Sequence, residues 1–339
     1  MLNANAHKQF TASGDHKAEA LLKRVLDEIS CTLDGSGLCV FLGGSYGRGD
    51  GGVRQDRANG ILYNDLDFFV FAQKKCGNAE VLLEEIASKY EKELQVDVDF
   101  SRIMSVNDIT NNATRLMMQE LKRGYCLVSG KDLLKEYLPE LPAENLPFSE
   151  ACRLLLNRGM GLLLAEEKIA NDPADMDFIL RNINKAILGA CDAFLIAEKI
   201  YKWKISDRLI AINDSILSSD CKKLYAQAVE FKKSPNREAV QDLPALWSAV
   251  RDIFCECVEN ICGEQCIYTY DKCKKSGEIS LKNFIKYCIK SRSLPLKNWR
   301  HYTMPAVALL ADKIYWELKN TPVKSVEQSK LYQQWLIFN

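Results

Sequence analysis

The sequence predicts an α+β fold, in which a core with a small mixed β-sheet is followed by a mainly α-helical domain. Three observations support this prediction. The first part of the 339-residue chain alternates short apolar, β-rich segments with helical patterns. Seven of the eighteen glycines lie between Gly43 and Gly60, in the loops of that part. From about Pro147 onward, long helical patterns separated by prolines follow one another. We therefore expect two domains, residues 1–145 and 146–339, a number that suits the chain length.

Three segments of the first domain have the composition of strands. Residues 39–42 are apolar and are followed by two glycines, and residues 66–71 form a second apolar segment. Residues 94–100 (LQVDVDF) alternate apolar and polar side chains, which is the period of a strand with two different faces. Amphipathic helical patterns over residues 17–29 and 79–90 separate these segments. We expect the strands to form a sheet against which the helices pack.

The second domain consists of segments in which apolar residues recur at intervals of three and four. Prolines fall between these segments or in their first turns, where a helix tolerates them. We predict helices over residues 149–170, 174–203 (one helix or a broken pair), 220–232, 242–259, 281–291, 304–319 and 325–337.

The composition excludes several classes of protein. Apolar residues make up 47% of the chain and charged residues 27%, which is a globular balance. The 45 basic and 45 acidic residues cancel, which disfavours a long nucleic acid as the partner. No uncharged apolar run reaches the roughly 18 to 20 residues of a membrane span, so we expect no membrane partner. The N-terminus lacks the apolar stretch of a secretory signal, and the thirteen cysteines are expected to be reduced thiols of a cytoplasmic protein.

The glycine-rich segment after the first predicted strand is a candidate phosphate-binding loop, because glycines leave backbone N–H groups accessible. It contains no Gly-Lys-Ser or Gly-Lys-Thr and is therefore not a Walker A loop. Gly47, Gly49 and Gly52, with Asp67 further on, match the dinucleotide fingerprint. That match is incomplete, because no amphipathic helical pattern follows Gly52. A flexible surface turn is the non-functional alternative.

Two pairs of aspartates are spaced so that each pair lies on one face of a strand. Asp65 and Asp67 begin the second predicted strand, and Leu66 between them points to the core. Asp97 and Asp99 repeat this arrangement further along the chain. If these strands pair, three or four carboxylates meet at one edge of the sheet, and Mg²⁺ prefers such oxygen ligands. A two-metal phosphoryl or nucleotidyl transfer site has this composition, whereas solvated strand ends are the alternative.

Together these motifs resemble the signature of the polymerase-β-like nucleotidyltransferase superfamily. Gly44-Ser45 follows a strand, Asp65-Leu66-Asp67 begins the next one, and Asp97 lies between two valines. The resemblance covers roughly residues 35–130 and includes a helix, a small strand and a glycine turn at its end. It implies a nucleotidyltransferase core in the first domain. By the same resemblance, the three aspartates are catalytic and bind two Mg²⁺ ions, with Mn²⁺ as the alternative ion.

The resemblance also implies that the phosphates of a nucleotide lie against the glycine-rich loop and that a lysine of the helical domain contacts the triphosphate. The nucleotide-binding candidates are Gly43, Gly44, Ser45, Gly47, Arg48 and Lys185, and Tyr201 is a candidate for lining the site. The chain departs from the family in two respects. Residues 51–60 are predicted to be an inserted loop between the serine and the first aspartate. Asp99 fits the pattern of the third metal ligand as well as Asp97 does, and is the second candidate for that position.

Five cysteines of the second domain lie close together in sequence and raise the question of a metal site. They lack paired C-x-x-C spacings and neighbouring histidines. We therefore expect them to bind no metal, and we expect no structural metal cluster in the protein. The residues are Cys255, Cys257, Cys262, Cys266 and Cys273.

The function expected from the sequence is transfer of an NMP group from an NTP, with ATP favoured, to a hydroxyl acceptor, with release of pyrophosphate. The sequence does not identify the acceptor. Two other functions stay open: a non-catalytic nucleotide-binding or interaction protein that retains the fold, and an NAD(P)-binding enzyme that uses the glycine-rich loop.

Overall fold

Five strands of the N-terminal half pair into one mixed sheet in the computed structural model. They are β1 (Leu38–Leu42), β2 (Leu66–Ala72), β3 (Val98–Phe100), β4 (Met104–Ser105) and β5 (Cys126–Ser129). The structure describes residues 9–55, 60–73, 78–236, 240, 242–263, 269–295, 297, 299–320 and 325–338.

The order of the strands follows from the pairing of β1 and β2. β1 lies between β2 and β5 and is antiparallel to both. On its other side, β2 pairs in parallel with β3 and then with β4, which follow each other along it. Ser101 joins these two pairings, because its N–H donates to the Phe68 carbonyl at 2.8 Å and its hydroxyl accepts from the Val70 N–H at 2.9 Å. The edge opposite β5 is therefore formed by β3 and β4.

The two faces of the sheet are covered by different helices. The helices of this part are α1 (His16–Thr32), α2 (Gly44–Gly47), α3 (Ala79–Leu94), α4 (Val106–Asn111), α5 (Leu116–Arg123) and α6 (Leu133–Tyr137). Leu38, Val40 and Leu42 point to the face that packs against α1 and α3, whereas Cys39 and Phe41 point to the face that packs against α4, α5 and α6. Alternate residues of β1 thus belong to two separate apolar clusters, as the period of a strand requires.

The predicted α+β fold is confirmed, but one predicted strand is shorter than expected. Residues 94–100 were predicted to be extended, whereas α3 continues to Leu94 and only the last three residues of the segment form β3. The reason is that Tyr90 and Leu94 extend the buried stripe of the helix. Gln95 then adopts a left-handed conformation with φ of 58° and ends the helix. Asp97 consequently precedes β3 instead of lying within it.

The second half of the chain is helical in the residues that the structure describes. The helices are α7 (Phe148–Asn171), α8 (Met176–Ala197), α9 (Ile205–Asn213), α10 (Ser219–Lys233), α11 (Leu243–Cys262), α12 (Thr269–Lys275), α13 (Leu281–Ser291), α14 (Ala306–Asn320) and α15 (Lys330–Phe338). The predicted segment 174–203 is a single helix, α8, followed by a turn at Lys199, and α9 and α12 were not predicted. None of the described helices is long and apolar enough to cross a membrane.

The chain divides into two compact units after Leu141. The division lies near the predicted boundary between residues 145 and 146, in a segment rich in proline. Residues 230–236 also belong to the first unit, although they include the end of α10, whose earlier residues belong to the second unit. No sequence pattern indicated this return of the chain.

A buried carboxyl group in the second unit makes the stability of that unit depend on pH. Asp312 lies on α14 and accepts a hydrogen bond of 2.6 Å from the Thr269 hydroxyl. Burial raises the pKa of Asp312 to about 7, although the bond from Thr269 opposes this effect by stabilising the ionised carboxylate. The folded protein therefore favours the neutral carboxyl group. This contribution to stability is complete below the ordinary pKa of about 4 and is lost as pH rises towards 7.

We expect Asp312→Asn to stabilise the protein at pH 8, because the amide keeps the oxygen that accepts from Thr269 and carries no charge. A pKa shift of about three units corresponds to roughly 2 to 4 kcal/mol in the free energy of unfolding. The gain should shrink towards zero as pH falls to 4. Urea unfolding of both proteins at pH 4 and pH 8 measures the difference, with the exposed Asp214→Asn as the control. A gain that does not change with pH would contradict the assignment.

Candidate functional site

Four aspartates lie at neighbouring positions where two adjacent strands begin. The parallel pairing of β2 with β3 places Asp67 directly beside Asp99. The Leu66 N–H donates to the carbonyl of Asp97 at 2.9 Å, so the same ladder brings Asp65 and Asp97 to the preceding position. Neighbouring residues in register on parallel strands point to the same face, and residues two apart on a strand do so as well. The register places the aspartates at neighbouring positions. Within the described residues, no three of their carboxylates bring oxygen atoms within 4.8 Å of one another, so the predicted meeting of three or four carboxylates stays a prediction.

The acidic end of this face is open to solvent within the part of the chain that the structure describes. Further along β2, Phe69 and Phe71 share the face with Asp67 and pack against the cluster formed with α4, α5 and α6. Asp97 and Asp99 are exposed, and Asp65 and Asp67 are half-buried. On the opposite face Leu66, Phe68 and Val98 are buried, and Phe68 stacks on the partly buried ring of Phe100 at 4.6 Å between ring centroids. Where the two strands begin, one face is therefore apolar and the other carries the aspartates.

The short helix α2 follows β1 and brings the backbone of Gly44 against the carboxylate of Asp67. Gly44 has φ of +59°, and a Cβ at this position would lie 2.0 Å from Oδ2 of Asp67. The N–H of Gly43 donates to the carbonyl of Asp67 at 2.8 Å. A residue with a side chain would be strained here and would collide with the aspartate. Glycine at residue 44 is therefore required by the contact between α2 and β2.

Ser45 is the second residue of α2 and is half-buried. Its hydroxyl makes no hydrogen bond to the residues that the structure describes, while its carbonyl accepts from the N–H of Asp50 at 2.9 Å. The hydroxyl therefore lies next to the glycine in contact with Asp67 and remains available to a ligand.

Tyr46 ties the two ends of the predicted inserted loop to α2. Its buried hydroxyl donates to the Gly52 carbonyl at 2.9 Å and accepts from the N–H groups of Tyr63 and Asn64 at 3.0 and 3.3 Å. The side-chain oxygen of Asn64 accepts from the Gly52 N–H at 2.7 Å. Burial raises the pKa of Tyr46, so its hydroxyl stays protonated and able to donate. These bonds hold the chain where it enters Asp65, and sequence reasoning did not identify Tyr46.

Most of the predicted inserted loop is structured in the residues that the structure describes. Val53 and Leu62 form an antiparallel bridge, and the Arg54 N–H donates to the Ile61 carbonyl at 2.9 Å. Arg54 is buried, donates from Nε to the Leu62 carbonyl at 3.1 Å and lies over the ring of Tyr63. The segment therefore forms a hairpin-like excursion, whose residues 56–59 lie outside the described residues.

Two cationic side chains lie beside the glycine-rich loop. Arg48 approaches Glu120 at 3.5 Å and Asp50 at 3.9 Å. Lys232 approaches the same Asp50 at 4.0 Å, and its carbonyl lies against Gly52. It lies in the last turn of α10, within the segment 230–236 that belongs to the first unit. Sequence reasoning missed Lys232, because only the folded chain brings residues 230–236 to a loop near residue 50.

The donor set at the acidic face fits a hard divalent cation. Carboxylate oxygens are the ligands that Mg²⁺ prefers, and Mg²⁺ is usually bound by one or two carboxylates together with the phosphates of a substrate. Because no three of these carboxylates bring oxygen atoms within 4.8 Å of one another in the described residues, a cation here would take its remaining ligands from the substrate and water. The described part of the site contains no histidine or thiol that would favour a softer metal.

Two other predicted residues lie in the second unit. Lys185 is on α8 and is half-buried, so its predicted contact with a triphosphate stays a prediction. Tyr201 is buried, its hydroxyl accepts a hydrogen bond from Arg208, and its ring lies beside that guanidinium and Trp203. A ring with these neighbours has no open face for a nucleotide, so the structure does not support the predicted role of Tyr201.

The four described cysteines between residues 255 and 273 do not form one group. Cys255, Cys257 and Cys262 lie on α11 and Cys273 lies on α12, whereas Cys266 lies outside the described residues. Among the described residues, no three cysteines of this set have sulfur atoms close enough together to bind one metal ion.

No protein-family model matches the chain, and no curated protein is similar enough to indicate common ancestry. The interpretation of the site therefore depends on its residues and their geometry.

We expect Gly44→Ala to destabilise the protein more than an alanine at another left-handed glycine. The control is Gly35→Ala, since Gly35 has φ of +73° and a Cβ there would have no other atom within 4 Å. Both variants incur the strain of a left-handed alanine, about 1 to 2 kcal/mol. Only Gly44→Ala also displaces the Asp67 carboxylate, so its free energy of unfolding should fall by at least about 1 kcal/mol more. Equal losses in urea unfolding would show that Asp67 is not held against Gly44.

Proposed function

We propose that this protein is a metal-dependent nucleotidyltransferase that moves an NMP group from an NTP to a hydroxyl acceptor and releases pyrophosphate. The observation that carries the proposal is the row of carboxylates on β2 and β3 beside the Gly44-Ser45 turn. Phosphoryl chemistry needs charge neutralisation next to a group that positions phosphates. The resemblance of these motifs to the polymerase-β-like superfamily supports the same function.

The residues of the first unit have separate roles in this proposal. Asp65, Asp67 and a third aspartate hold two Mg²⁺ ions, which when bound neutralise the triphosphate and lower the pKa of the acceptor hydroxyl. Ser45 donates its hydroxyl to a phosphate oxygen. Arg48 and Lys232 add positive charge beside the loop, and phosphate oxygens would compete with Asp50 for them.

The proposed reaction is an in-line displacement at the α-phosphorus of the NTP. The acceptor oxygen forms a bond to that phosphorus while the bond to the bridging oxygen of the β-phosphate breaks. Pyrophosphate leaves with the electron pair of the broken bond, and the hydroxyl proton passes to a carboxylate of the cluster. The chain contributes mainly by orienting the two reactants and by stabilising charge, which are the main sources of rate in phosphoryl transfer.

The register of the strands favours Asp99 as the third metal ligand, although the sequence pattern alone ranked Asp97 first. Asp99 lies directly beside Asp67, the carboxylate in contact with Gly44 of the glycine-rich loop. Asp97 lies before β3, beside Asp65. A cation shared by two carboxylates requires them to be close neighbours, and the pair nearest the loop is Asp67 with Asp99.

The dinucleotide-binding alternative has less support. Its fingerprint requires a helix after the last glycine, with the pyrophosphate at the helix N-terminus. In the described residues, Gly47 ends α2, and the chain after Gly52 forms the bridge between Val53 and Leu62. A non-catalytic nucleotide-binding protein that retains the fold would differ from the transferase in binding NTP without releasing pyrophosphate.

We expect Asp67→Asn to reduce NTP turnover by about 100- to 1000-fold, the range typical for loss of one charge-stabilising group. The empty variant should be as stable as the wild type or slightly more stable, because one repelling charge is removed. The rise in melting temperature caused by Mg²⁺ with ATP should largely disappear. Pyrophosphate release from ATP, GTP, CTP and UTP and melting curves with and without Mg²⁺ measure these effects.

The control for this variant is Asp34→Asn, which removes an exposed carboxylate elsewhere in the same unit. A variant at Asp67 that melts well below the wild type yet still gains stability from Mg²⁺ with NTP would refute the metal-site assignment. Wild-type protein that binds Mg²⁺ with NTP but releases no pyrophosphate with any acceptor would instead be a non-catalytic nucleotide-binding protein. Stabilisation by NAD(P) without metal would support the dinucleotide alternative.

A comparison of Asp99→Asn with Asp97→Asn tests the identity of the third ligand. Both residues are exposed, so neither change should lower the stability of the metal-free protein appreciably. We expect Asp99→Asn to weaken the Mg²⁺ dependence of nucleotide binding at least tenfold more than Asp97→Asn. The apparent Mg²⁺ affinity at fixed ATP gives the ranking, and the reverse order would restore Asp97 as the third ligand.

A further inference from the structure

Three buried cysteine thiols from three helices meet in the core of the second unit. Cys191 lies on α8, Cys221 on α10 and Cys257 on α11. Sγ of Cys191 is 3.5 Å from Sγ of Cys221 and 4.0 Å from Sγ of Cys257, and all three sulfur atoms lie within 4.8 Å of one another. Each residue is fully buried. Among the described residues, this is the one group of three metal-ligating side chains with such short separations.

These separations match the geometry of a metal ion with three sulfur ligands. Sulfur atoms at the measured distances have a common centre at most about 2.4 Å from each, close to the Zn–S distance of about 2.3 Å. A metal ion at that centre would therefore bind all three sulfurs with little movement of the helices. Separate cysteines are common in protein cores as small apolar residues, but core packing does not require three of them to converge on one point.

The surroundings favour a soft ion of low coordination number. No carboxylate or imidazole among the described residues joins the three thiols as a fourth close ligand. The nearby buried charges already form a pair, since Asp192 lies 3.2 Å from Nε of Arg208 and also accepts a hydrogen bond from the Tyr225 hydroxyl. Thiolates bind Cu⁺ and Zn²⁺ strongly, and structural Zn²⁺ usually takes four ligands. Three ligands in a dry pocket therefore suit Cu⁺ better.

The thiols already contact one another, because Sγ of Cys191 lies within hydrogen-bonding distance of both other sulfur atoms. An entering cation would displace their protons to solvent as each sulfur becomes a thiolate.

We propose that Cys191, Cys221 and Cys257 form a binding site for one thiophilic metal ion, with Cu⁺ preferred to Zn²⁺. The site lies in the second unit and is separate from the proposed Mg²⁺ site, which binds through oxygen. It also revises the expectation that Cys257 binds no metal. That expectation considered spacing within one segment, whereas Cys221 and Cys257 are 30 and 66 residues from Cys191 along the chain.

The first experiment titrates the reduced, chelator-treated 339-residue chain with Cu⁺ under anaerobic conditions and, separately, with Zn²⁺. We expect one equivalent of Cu⁺ to bind, with a thiolate-to-metal absorption band in the ultraviolet and a rise in melting temperature. Zn²⁺ should bind at least tenfold more weakly. Tighter binding of Zn²⁺ would overturn the preference for Cu⁺, and the absence of stoichiometric binding of either ion would overturn the site. No nucleotide is present, so the result is independent of the proposed transferase activity.

The second experiment identifies the ligands. Cys191→Ala should lower the affinity for Cu⁺ at least a hundredfold, whereas Cys273→Ala, which removes a buried cysteine outside the group, should leave it unchanged. If Cys191→Ala does not fold, the ligands are identified in the wild-type protein instead, by alkylating its cysteines during unfolding with and without bound Cu⁺. Bound Cu⁺ should slow the modification of Cys191, Cys221 and Cys257, as read by mass spectrometry, relative to the other cysteines. Protection of a different set would refute the assignment.

Discussion

The row of carboxylates on β2 and β3 can exist only because the opposite face of the same strands is firmly packed. Behind them, Leu66, Phe68 and Val98 are buried, and each such side chain contributes about 1.5 to 3 kcal/mol. This apolar face fixes the register that places the aspartates at neighbouring positions. That placement is why this face is the centre of the proposed site.

The glycine-rich loop depends on the same arrangement. Gly44 lies against the carboxylate of Asp67, and Tyr46, two residues later, bonds to both ends of the excursion that leads to Asp65. The turn that carries Ser45 and the strand that carries the first two aspartates are therefore joined by backbone contact and by one buried hydroxyl. A change at Gly44 or Tyr46 would alter the position of the carboxylates without replacing them. In the proposed site, these two residues would therefore act by positioning the aspartates and Ser45.

The second unit shows how a helical core brings together groups that are distant in sequence. The thiols on α8, α10 and α11 converge, and Asp312 on α14 meets Thr269 on α12. Burial raises the pKa of the Asp312 carboxyl group to about 7, so this group changes its charge near neutral pH. The three sulfur atoms are brought into contact by the packing of their helices. Both groups therefore report on the packing of this unit.

Local pattern was sufficient for much of the fold and for part of the site. The period of two placed Asp65 and Asp67 on one face, and the period of 3.6 predicted most of the helices, because each pattern depends on residues near one another in the chain. At residues 94–100, where an alternating pattern predicted a strand, the preceding helix continued to Leu94, because Leu94 is buried with the helix.

The tertiary structure decided what local pattern could not. Register between strands selects Asp99 as the neighbour of Asp67, and the return of residues 230–236 brings Lys232 to the loop beside Asp50. Helix packing selects Cys257 to join two cysteines that no spacing rule connects with it. Each of these outcomes depends on which distant segments pack together, which is set by the total burial of apolar surface and by backbone pairing. The amino-acid sequence by itself therefore determined which chemical groups are available and which strand faces carry them, while only the folded chain determined which of them meet.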